Sequence, residues 1–224
     1  MTTAMASSAA EISKSVCASV AKRRAFDQPY RHFLIDDFLP EGVTPALNNL
    51  PFGAPSVGEV SGKRELHNDT RSYFDAANMA RFPVMREVAE ALQSRDVTRA
   101  IATAFDAPID DTLLRLEYAL DIDGFWLQPH TDLGVKKFTC LIYLSDEPGH
   151  EDLGTDIYRS ESEYFGRSPF IPNTAMVFVP GDNTWHGFKK RPIPGVRKSV
   201  ILNYVTHEWR AREQLSFPDT PVRV

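Results

Sequence analysis

The stretch Leu114–Leu120 reads LRLEYAL, and it determines the fold class that we predict for the chain. Apolar side chains alternate along it with Arg115, Glu117 and Ala119. Because successive side chains of a strand point to opposite faces, this period of two predicts a half-buried β-strand. The sequence changes character at this point, and from here onward it is typical of a β protein.

Five apolar runs follow, separated by clusters of Gly, Pro and Asp that are typical of turns. They are Phe125–Gln128, Phe138–Leu144, Asp156–Tyr158, Thr174–Val179 and Ser199–Val205. An earlier apolar segment, His32–Pro40, ends in proline and is expected to open the folded domain as a strand. Strands this short and this numerous predict an antiparallel sandwich or barrel with helices packed outside it, a mainly β, α+β fold.

Helical periodicity is confined to the first half of the chain. Apolar residues recur at helical spacing through Ala80–Phe105 with a break near Ser94, which predicts two packed helices. An amphipathic helix is expected at Glu11–Arg23 after an Ala/Ser-rich start. We therefore expect a flexible lead and N-terminal helix in residues 1–24, one catalytic domain in residues 25–212 and a C-terminal tail in residues 213–224.

Composition narrows the possible partners and compartments. The 224 residues carry a net charge of −5, so the chain has no basic surface of the kind that nucleic acids or anionic membranes attract. It has no run of roughly 18 apolar residues that could span a membrane, and no secretory signal. Two cysteines, Cys17 and Cys140, suggest a reducing compartment, for which the cytoplasm is the simplest expectation. The sequence leaves the oligomeric state open.

The motif Gln128–Asp132 reads QPHTD and places an imidazole and a carboxylate two residues apart. On a strand, His130 and Asp132 share one face and can converge on one ion. A third ligand, His186, follows the turn Pro180–Asp182. Two imidazoles and one carboxylate form the facial triad of non-haem Fe(II) oxygenases, which leaves coordination positions open. His-x-Asp alone is a weak motif, because it also occurs as a hydrogen-bonded turn pair.

Eleven residues after His186, Arg197 and Ser199 share one face of a predicted strand. A guanidinium matches a carboxylate bidentately, and a neighbouring hydroxyl can add one more hydrogen bond. The alternative is a surface arginine in a basic stretch. With the histidine upstream, we interpret the pair as an anchor for a dicarboxylate beside a metal ion.

From His32 to about Val205 the chain resembles the Fe(II)/2-oxoglutarate oxygenase superfamily, within its prolyl-hydroxylase-like branch. The resemblance depends on a series of motifs in the order that is usual for this family. They are the strand entry Phe33–Pro40, His130-x-Asp132, the strand Thr139–Leu144, Gly154-Thr155, Ala175–Pro180 leading to His186, and Arg197-x-Ser199. The resemblance implies a double-stranded β-helix of jelly-roll form flanked by helices.

The resemblance also implies the cofactors and their ligands. Iron would be held by the two histidines and Asp132, and 2-oxoglutarate would pair through its far carboxylate with Arg197, Ser199 and Tyr143, with Tyr118 as a second contact. The implied reaction consumes O2, converts 2-oxoglutarate to succinate and carbon dioxide, and hydroxylates an unactivated C–H bond of the substrate. Ascorbate is the implied reductant. Because Asp132 occupies the carboxylate position, halogenation is disfavoured.

The substrate itself is not identified by sequence. Contacts are expected from loops at the mouth of the barrel, with Arg71 in the segment His67–Arg71, Trp126 and Trp185 as candidates for a small-molecule or protein-residue substrate. The loop between Leu144 and Thr155 is acidic and contains His150, where relatives often have a Gly-Gly turn. We expect His150 to lie outside the metal site.

Two other classes of protein would share parts of this pattern. A cupin-like metal protein would have the jelly roll and the histidines with other chemistry, but the Arg197-x-Ser199 pair argues against it. A non-catalytic jelly-roll binding or sensor domain would not need the complete set of iron ligands.

Overall fold

The computed structural model describes residues 7–53, 62, 71–132 and 134–224. Within these ranges the strands are β1 Arg24–Phe26, β2 His32–Ile35, β3 Arg71–Tyr73, β4 Leu113–Asp121, β5 Leu127–His130, β6 Lys136–Tyr143, β7 Asp156–Tyr158, β8 Tyr164–Arg167, β9 Ala175–Phe178, β10 His186–Phe188 and β11 Arg197–Val205. The helices are α1 Ala9–Ala21, α2 Val43–Asn48, α3 Ala76–Arg81, α4 Pro83–Gln93 and α5 Arg95–Phe105.

The strands form two antiparallel sheets. The major sheet has the order β1-β2-β9-β6-β11-β4-β3, and the minor sheet has the order β5-β10-β7-β8. This topology confirms the predicted jelly roll with flanking helices. The short strands β1, β3, β8 and β10 were not predicted, because three or four residues give too little alternation to recognise.

The two faces of the major sheet have different partners. On β11, Val200, Leu202 and Tyr204 belong to the large core that the sheet forms with the helices. Arg197 and Ser199, offset by one residue, point to the opposite face, which encloses a cavity. The alternation of side chains along one central strand therefore separates the core from the candidate site.

Helix α1 is attached to the domain through its apolar side. It begins with a capping box in which Ser8 and Glu11 satisfy each other's backbone N–H groups. Ile12, Val16 and Val20 are buried against α4 and α5, so the predicted helix is confirmed two residues upstream of its expected start. The two helices predicted for Ala80–Phe105 are confirmed as α4 and α5, which meet at Ser94. None of the described helices is both long and apolar enough to cross a membrane.

Substituting Ile12 by alanine should test how much the packing of α1 stabilises the domain. Ile12 is fully buried, so the change removes apolar contacts and leaves a cavity. We expect a loss of roughly 2–4 kcal/mol in the free energy of unfolding, measured by urea denaturation. Lys14→Ala, on the exposed side of the same helix, should change it by less than about 0.5 kcal/mol. Equal effects of the two substitutions would contradict the packing.

The segment 213–224 differs from the predicted tail. Val222 is fully buried, its N–H donates to the Thr112 carbonyl at 2.7 Å, and its carbonyl accepts from Asp111 N–H at 2.9 Å. Thr98 on α5 donates to the Arg223 carbonyl at 2.6 Å. The prediction of a tail was therefore wrong for this segment, because backbone hydrogen bonds hold it and leave no periodic pattern in the sequence.

Candidate metal centre and adjoining cavity

His130, Asp132 and His186 are brought together at neighbouring strand ends. Strand β5 ends at His130, β10 begins at His186, and the two residues are direct partners in the ladder. Their ring centroids lie 4.3 Å apart. Asp132 follows β5 by two residues, so its carboxylate reaches the same place.

The ligand atoms of the three residues lie within 4.8 Å of one another. The Nε2 atoms of His130 and His186 each lie 3.8 Å from a different carboxylate oxygen of Asp132. A first-row metal ion binds nitrogen and oxygen at about 2.0–2.2 Å, so an ion placed between these atoms can bond to all three. Among the described residues, this is the one group of at least three such side chains close enough to hold a metal ion.

Backbone carbonyls fix the tautomers of both histidines. Nδ1 of His130 lies 3.0 Å from the Gln128 carbonyl, and Nδ1 of His186 lies 2.9 Å from the Thr184 carbonyl. Because a carbonyl can only accept, each Nδ1 carries the hydrogen and each Nε2 keeps a lone pair. This is the outer hydrogen bond that typically orients metal-binding histidines.

Burial, with a smaller contribution from the neighbouring His130, lowers the pKa of His186 to about 3. The imidazole therefore stays neutral at physiological pH. A neutral imidazole is the form that binds a metal ion.

The Asp132 carboxylate is held by two buried side chains that we did not predict. Lys136 Nζ lies 2.5 Å from Oδ1, and Thr139 Oγ1 donates to Oδ2 at 3.0 Å. Asn203 in turn donates to the Thr139 hydroxyl at 3.0 Å. Nothing in the sequence distinguishes this lysine from one at an exposed strand end.

Replacing Thr139 by valine should weaken metal binding without changing any proposed ligand. Valine has the same shape but cannot orient the Asp132 carboxylate, and changes of this kind typically cost 10–100-fold in metal affinity. We expect a loss of that order in calorimetric titration with Mn(II). Thr112→Val is the matched control, because its buried hydroxyl donates to the Ile109 carbonyl, and Thr112 is remote from the metal ligands in sequence and is not part of the cavity lining. Unchanged affinity in Thr139→Val would show that the hydroxyl does not orient the ligand.

A cavity of about 620 Å³, counting its open mouth, adjoins the metal ligands. Its lining combines charged, hydroxyl and apolar side chains with the three candidate ligands. The residues are Arg71, Glu117, Asp121, Phe125, Leu127, His130, Asp132, Lys136, Thr139, Leu141, Thr155, His186, Gly187, Phe188, Arg197, Ser199 and Ile201. Arg197 and Ser199 thus lie in the same cavity as the metal ligands.

Arg197 is fixed at the end of the cavity where β11 begins. Its Nε donates to the Leu153 carbonyl at 2.7 Å, and its Nη1 lies 2.5 Å from Asp121 Oδ2. The rings of Phe188 and Phe170 lie 4.8 and 5.2 Å from the guanidinium carbon. Among the described residues, none accepts a hydrogen bond from Nη2.

The Ser199 hydroxyl is buried and has no hydrogen-bond partner among the described residues. An unsatisfied buried polar group costs about 1–3 kcal/mol. Because Ser199 also lines the cavity, a polar ligand bound there could supply the missing partner. Thr155, which we did not predict, adds a second hydroxyl to the same wall.

Two tyrosines predicted to contact the co-substrate do not line the cavity. Tyr143 is on the expected face, but its hydroxyl hydrogen-bonds to Ser168 and Thr155 at 2.6 and 2.9 Å. It therefore supports Thr155 from behind the wall. Tyr118 lies on the opposite face of β4, where its hydroxyl donates to the Leu47 carbonyl at 2.9 Å. The predicted contact of Tyr118 was therefore wrong, whereas that of Tyr143 with the co-substrate stays a prediction.

The three predicted substrate contacts have different positions. Arg71 lines the cavity, whereas the remainder of its segment, residues 67–70, lies outside the described residues. Trp126 packs against Gly62, where an added Cβ would lie 2.3 Å from its ring. Trp185 is in a loop, and its carbonyl accepts from Tyr158 N–H. Neither tryptophan is among the residues of the cavity wall, and their contact with a substrate stays a prediction.

The polar face of β4 is buried instead of solvated. All nine residues of the strand are buried, including the acids Glu117 and Asp121. Arg71 contacts both acids, each at 2.8 Å, and Arg115 contacts the other oxygen of Glu117 at 2.5 Å. The alternation of the sequence placed these side chains on one face, but it could not show that this face lines a cavity.

His150 lies outside the metal site, as expected. Its Nε2 donates to the Pro194 carbonyl at 2.6 Å, and its Nδ1 lies 2.9 Å from Ser145 Oγ. The buried imidazole therefore links two loops close to Arg197.

No protein-family model and no curated protein sequence matches the chain. Solved structures do match. A prolyl 4-hydroxylase from Phytophthora capsici is 17% identical with a TM-score of 0.55, over 91% of this chain and 65% of that one. A Trichoplax adhaerens prolyl hydroxylase, in complex with a hypoxia-inducible-factor peptide, is 14% identical with a TM-score of 0.54, over 91% and 93%.

A prolyl-4-hydroxylase from Pseudomonas putida is 13% identical with a TM-score of 0.53, over 87% of this chain and 94% of that one. The chain thus spans about two thirds of the Phytophthora protein and nearly all of the other two. Identities this low show a common architecture. The chain therefore has the fold of the prolyl 4-hydroxylases and other 2-oxoglutarate-Fe(II) oxygenases.

Proposed function

We propose that the chain is an Fe(II)- and 2-oxoglutarate-dependent oxygenase that hydroxylates an unactivated C–H bond, with residues 25–212 as its catalytic domain. One observation carries the proposal. A His-Asp-His cluster of the right size for one ion opens into the same cavity as a buried arginine and a serine hydroxyl that no described residue satisfies.

The proposed iron ligands are Nε2 of His130, Nε2 of His186 and one oxygen of Asp132. Two neutral imidazoles and a carboxylate suit Fe(II), and three ligands from one side leave positions for a co-substrate and O2. The fixed tautomers and the low pKa of His186 support this assignment, because both lone pairs are available for binding.

The proposed anchor for the far carboxylate of 2-oxoglutarate consists of Arg197, Ser199 and Thr155. Arg197 offers Nη2 and a positive charge, and Ser199 offers a hydroxyl that has no partner among the described residues. The Ser199 hydroxyl supports the binding of a dicarboxylate here, because a carboxylate oxygen would accept the hydrogen bond that this hydroxyl does not make to the described residues. Tyr143 and Ser168 would keep the Thr155 hydroxyl in position.

When bound, iron and 2-oxoglutarate supply the activation of O2, in which one oxygen atom enters succinate with loss of carbon dioxide and the other enters the substrate. The chain's own residues bind and orient these groups. Phe125, Leu141 and Ile201 give the cavity an apolar lining that excludes water from the reacting atoms. Arg71 is the described residue that we propose for contact with a small-molecule or protein-residue substrate.

The two rival functions fit the cavity less well. A cupin-like metal protein has no need of an arginine and an orphan serine beside its ligands, and a silent binding domain has no need of a complete ligand set. The free cysteines Cys17 and Cys140 support a reducing compartment such as the cytoplasm.

The direct test is an assay of the purified protein with Fe(II), ascorbate and 2-oxoglutarate. We expect slow formation of succinate even without a primary substrate, and faster formation when a substrate is found. Omitting the iron and adding a chelator should stop it. Metal binding without any binding of 2-oxoglutarate would favour the cupin-like alternative, and absence of both would favour the silent domain.

A further inference from the structure

Asp121 lies between the proposed co-substrate anchor and a second arginine. Its Oδ2 is 2.5 Å from Arg197 Nη1, and its Oδ1 is 2.8 Å from Arg71 Nη1. The side chains of all three residues are at most 8% exposed. Asp121 is also the direct ladder partner of Arg197 between β4 and β11, so strand pairing fixes this contact. The anchor thus already holds one carboxylate of the protein.

This contact limits how Arg197 can receive a ligand. A carboxylate binds a guanidinium best through two adjacent N–H groups. Nε is already engaged by the Leu153 carbonyl and Nη1 by Asp121. A second carboxylate must therefore bind through the remaining N–H groups, which are the two of Nη2 and the second of Nη1, with the help of Ser199, or displace Asp121. In either case it binds close to an existing negative charge in a buried site, where charge repulsion is weakly screened.

We propose that Asp121 is an internal competitor for the co-substrate carboxylate and that it weakens the binding of 2-oxoglutarate and of its product succinate. The inference rests on the proposed function, because it concerns the same anchor. It makes Asp121 a specificity-determining residue. A ligand binds well only if its carboxylate pairs with Arg197 Nη2 while its other end bonds to the metal, and succinate, which lacks the 2-oxo group, would be released readily.

Neutralising Asp121 should leave Arg197 in place. The guanidinium retains the Leu153 carbonyl and lies close to the Phe188 and Phe170 rings. Arg71 retains its contact with Glu117 at 2.8 Å. The main effect of Asp121→Asn is therefore the loss of a competing negative charge, which should tighten the binding of the ligand carboxylate roughly ten-fold.

The experiment measures the dissociation constants of 2-oxoglutarate and succinate by calorimetry on the Mn(II)-loaded protein. For Asp121→Asn we expect both ligands to bind roughly ten-fold more tightly than to the unmodified protein. Asp156→Asn is the matched control, because Asp156 is also a buried acid paired with two arginines, Arg167 and Arg191, but it is not part of the cavity wall. It should change either constant by less than about three-fold. Asp121→Ala provides a second neutral variant should asparagine disturb the fold.

Unchanged or weaker ligand binding in the folded Asp121 variants would overturn the inference, and so would equal tightening in Asp156→Asn. The proposed function fails in a different way. If the unmodified protein binds neither Mn(II) nor 2-oxoglutarate, the oxygenase assignment itself is wrong. If it binds both and neutralising Asp121 brings no gain, only the role of Asp121 is wrong.

Discussion

Replacing Asp132 by alanine is expected to abolish succinate formation and to weaken binding of Fe(II) or Mn(II) by at least about 100-fold. The substitution removes the one anionic ligand, so two neutral imidazoles remain. It also leaves the buried Lys136 ammonium without the carboxylate that it contacts at 2.5 Å, next to the position of the metal ion. Calorimetric titration with Mn(II) and a succinate assay with Fe(II) measure the two effects separately.

The control for Asp132→Ala must also remove a buried, paired carboxylate. Asp156 is fully buried in the minor sheet and is paired with Arg167 and Arg191, each at 2.7 Å. Asp156→Ala should lower the stability of the fold but leave one metal ion bound per chain. If Asp132→Ala still bound one metal ion with unaltered affinity, the metal centre would have to lie at other residues.

Replacing Arg197 by methionine is expected to raise the dissociation constant of 2-oxoglutarate by roughly 100-fold, because charged hydrogen bonds are worth about 1.5–3 kcal/mol each. Metal affinity should change little, since Arg197 does not contact the three ligands. The combination of intact metal binding and lost co-substrate binding separates an anchor from a general structural role. Calorimetry with Mn(II) first and 2-oxoglutarate second gives both values.

Arg191→Met is the matched control for Arg197→Met. Arg191 is a largely buried arginine that also lies over the Phe188 ring, at 3.7 Å, but it pairs with Asp156 and is not part of the cavity wall. It should leave 2-oxoglutarate affinity within about three-fold of the unmodified protein. If both substitutions weakened 2-oxoglutarate equally, Arg197 would have no special role as an anchor.

The order and facing of the site residues could be predicted because they follow from strand geometry. His130 and Asp132 share a face by their spacing of two, and so do Arg197 and Ser199. What spacing could not supply is the pairing of β5 with β10, which sets the two histidines side by side. That contact joins residues 56 positions apart. The sequence indicated it only through the order of motifs that the chain shares with the Fe(II)/2-oxoglutarate oxygenases.

The alternation of side chains along β4 could have shown that Tyr118 does not contact the co-substrate. Tyr118 shares its face with Leu116 and Leu120, the apolar side that packs on the helices. The face that contains Glu117 and Asp121 is the one that lines the cavity. Tyr143 was different. Its face was right, but Ser168 and Thr155, which bind its hydroxyl, belong to other segments whose position the sequence does not give.

Buried charge was the main feature that sequence could not reveal. A strand that alternates apolar and charged residues predicts a solvated polar face. In β4 that face lines the cavity inside the protein, and its acids pair with Arg71, Arg115 and Arg197. The sequence likewise gave no sign that Lys136 is buried, at 8% exposed, in contact with the Asp132 carboxylate.

The most direct test of the proposed centre is a crystal structure grown anaerobically with Fe(II) and N-oxalylglycine, an inert analogue of 2-oxoglutarate. We expect one iron atom bonded to Nε2 of His130, Nε2 of His186 and one oxygen of Asp132, with the far carboxylate of the analogue on Arg197 and Ser199. Iron bound at other residues, or an analogue whose carboxylate lies away from Arg197, would contradict the assignment.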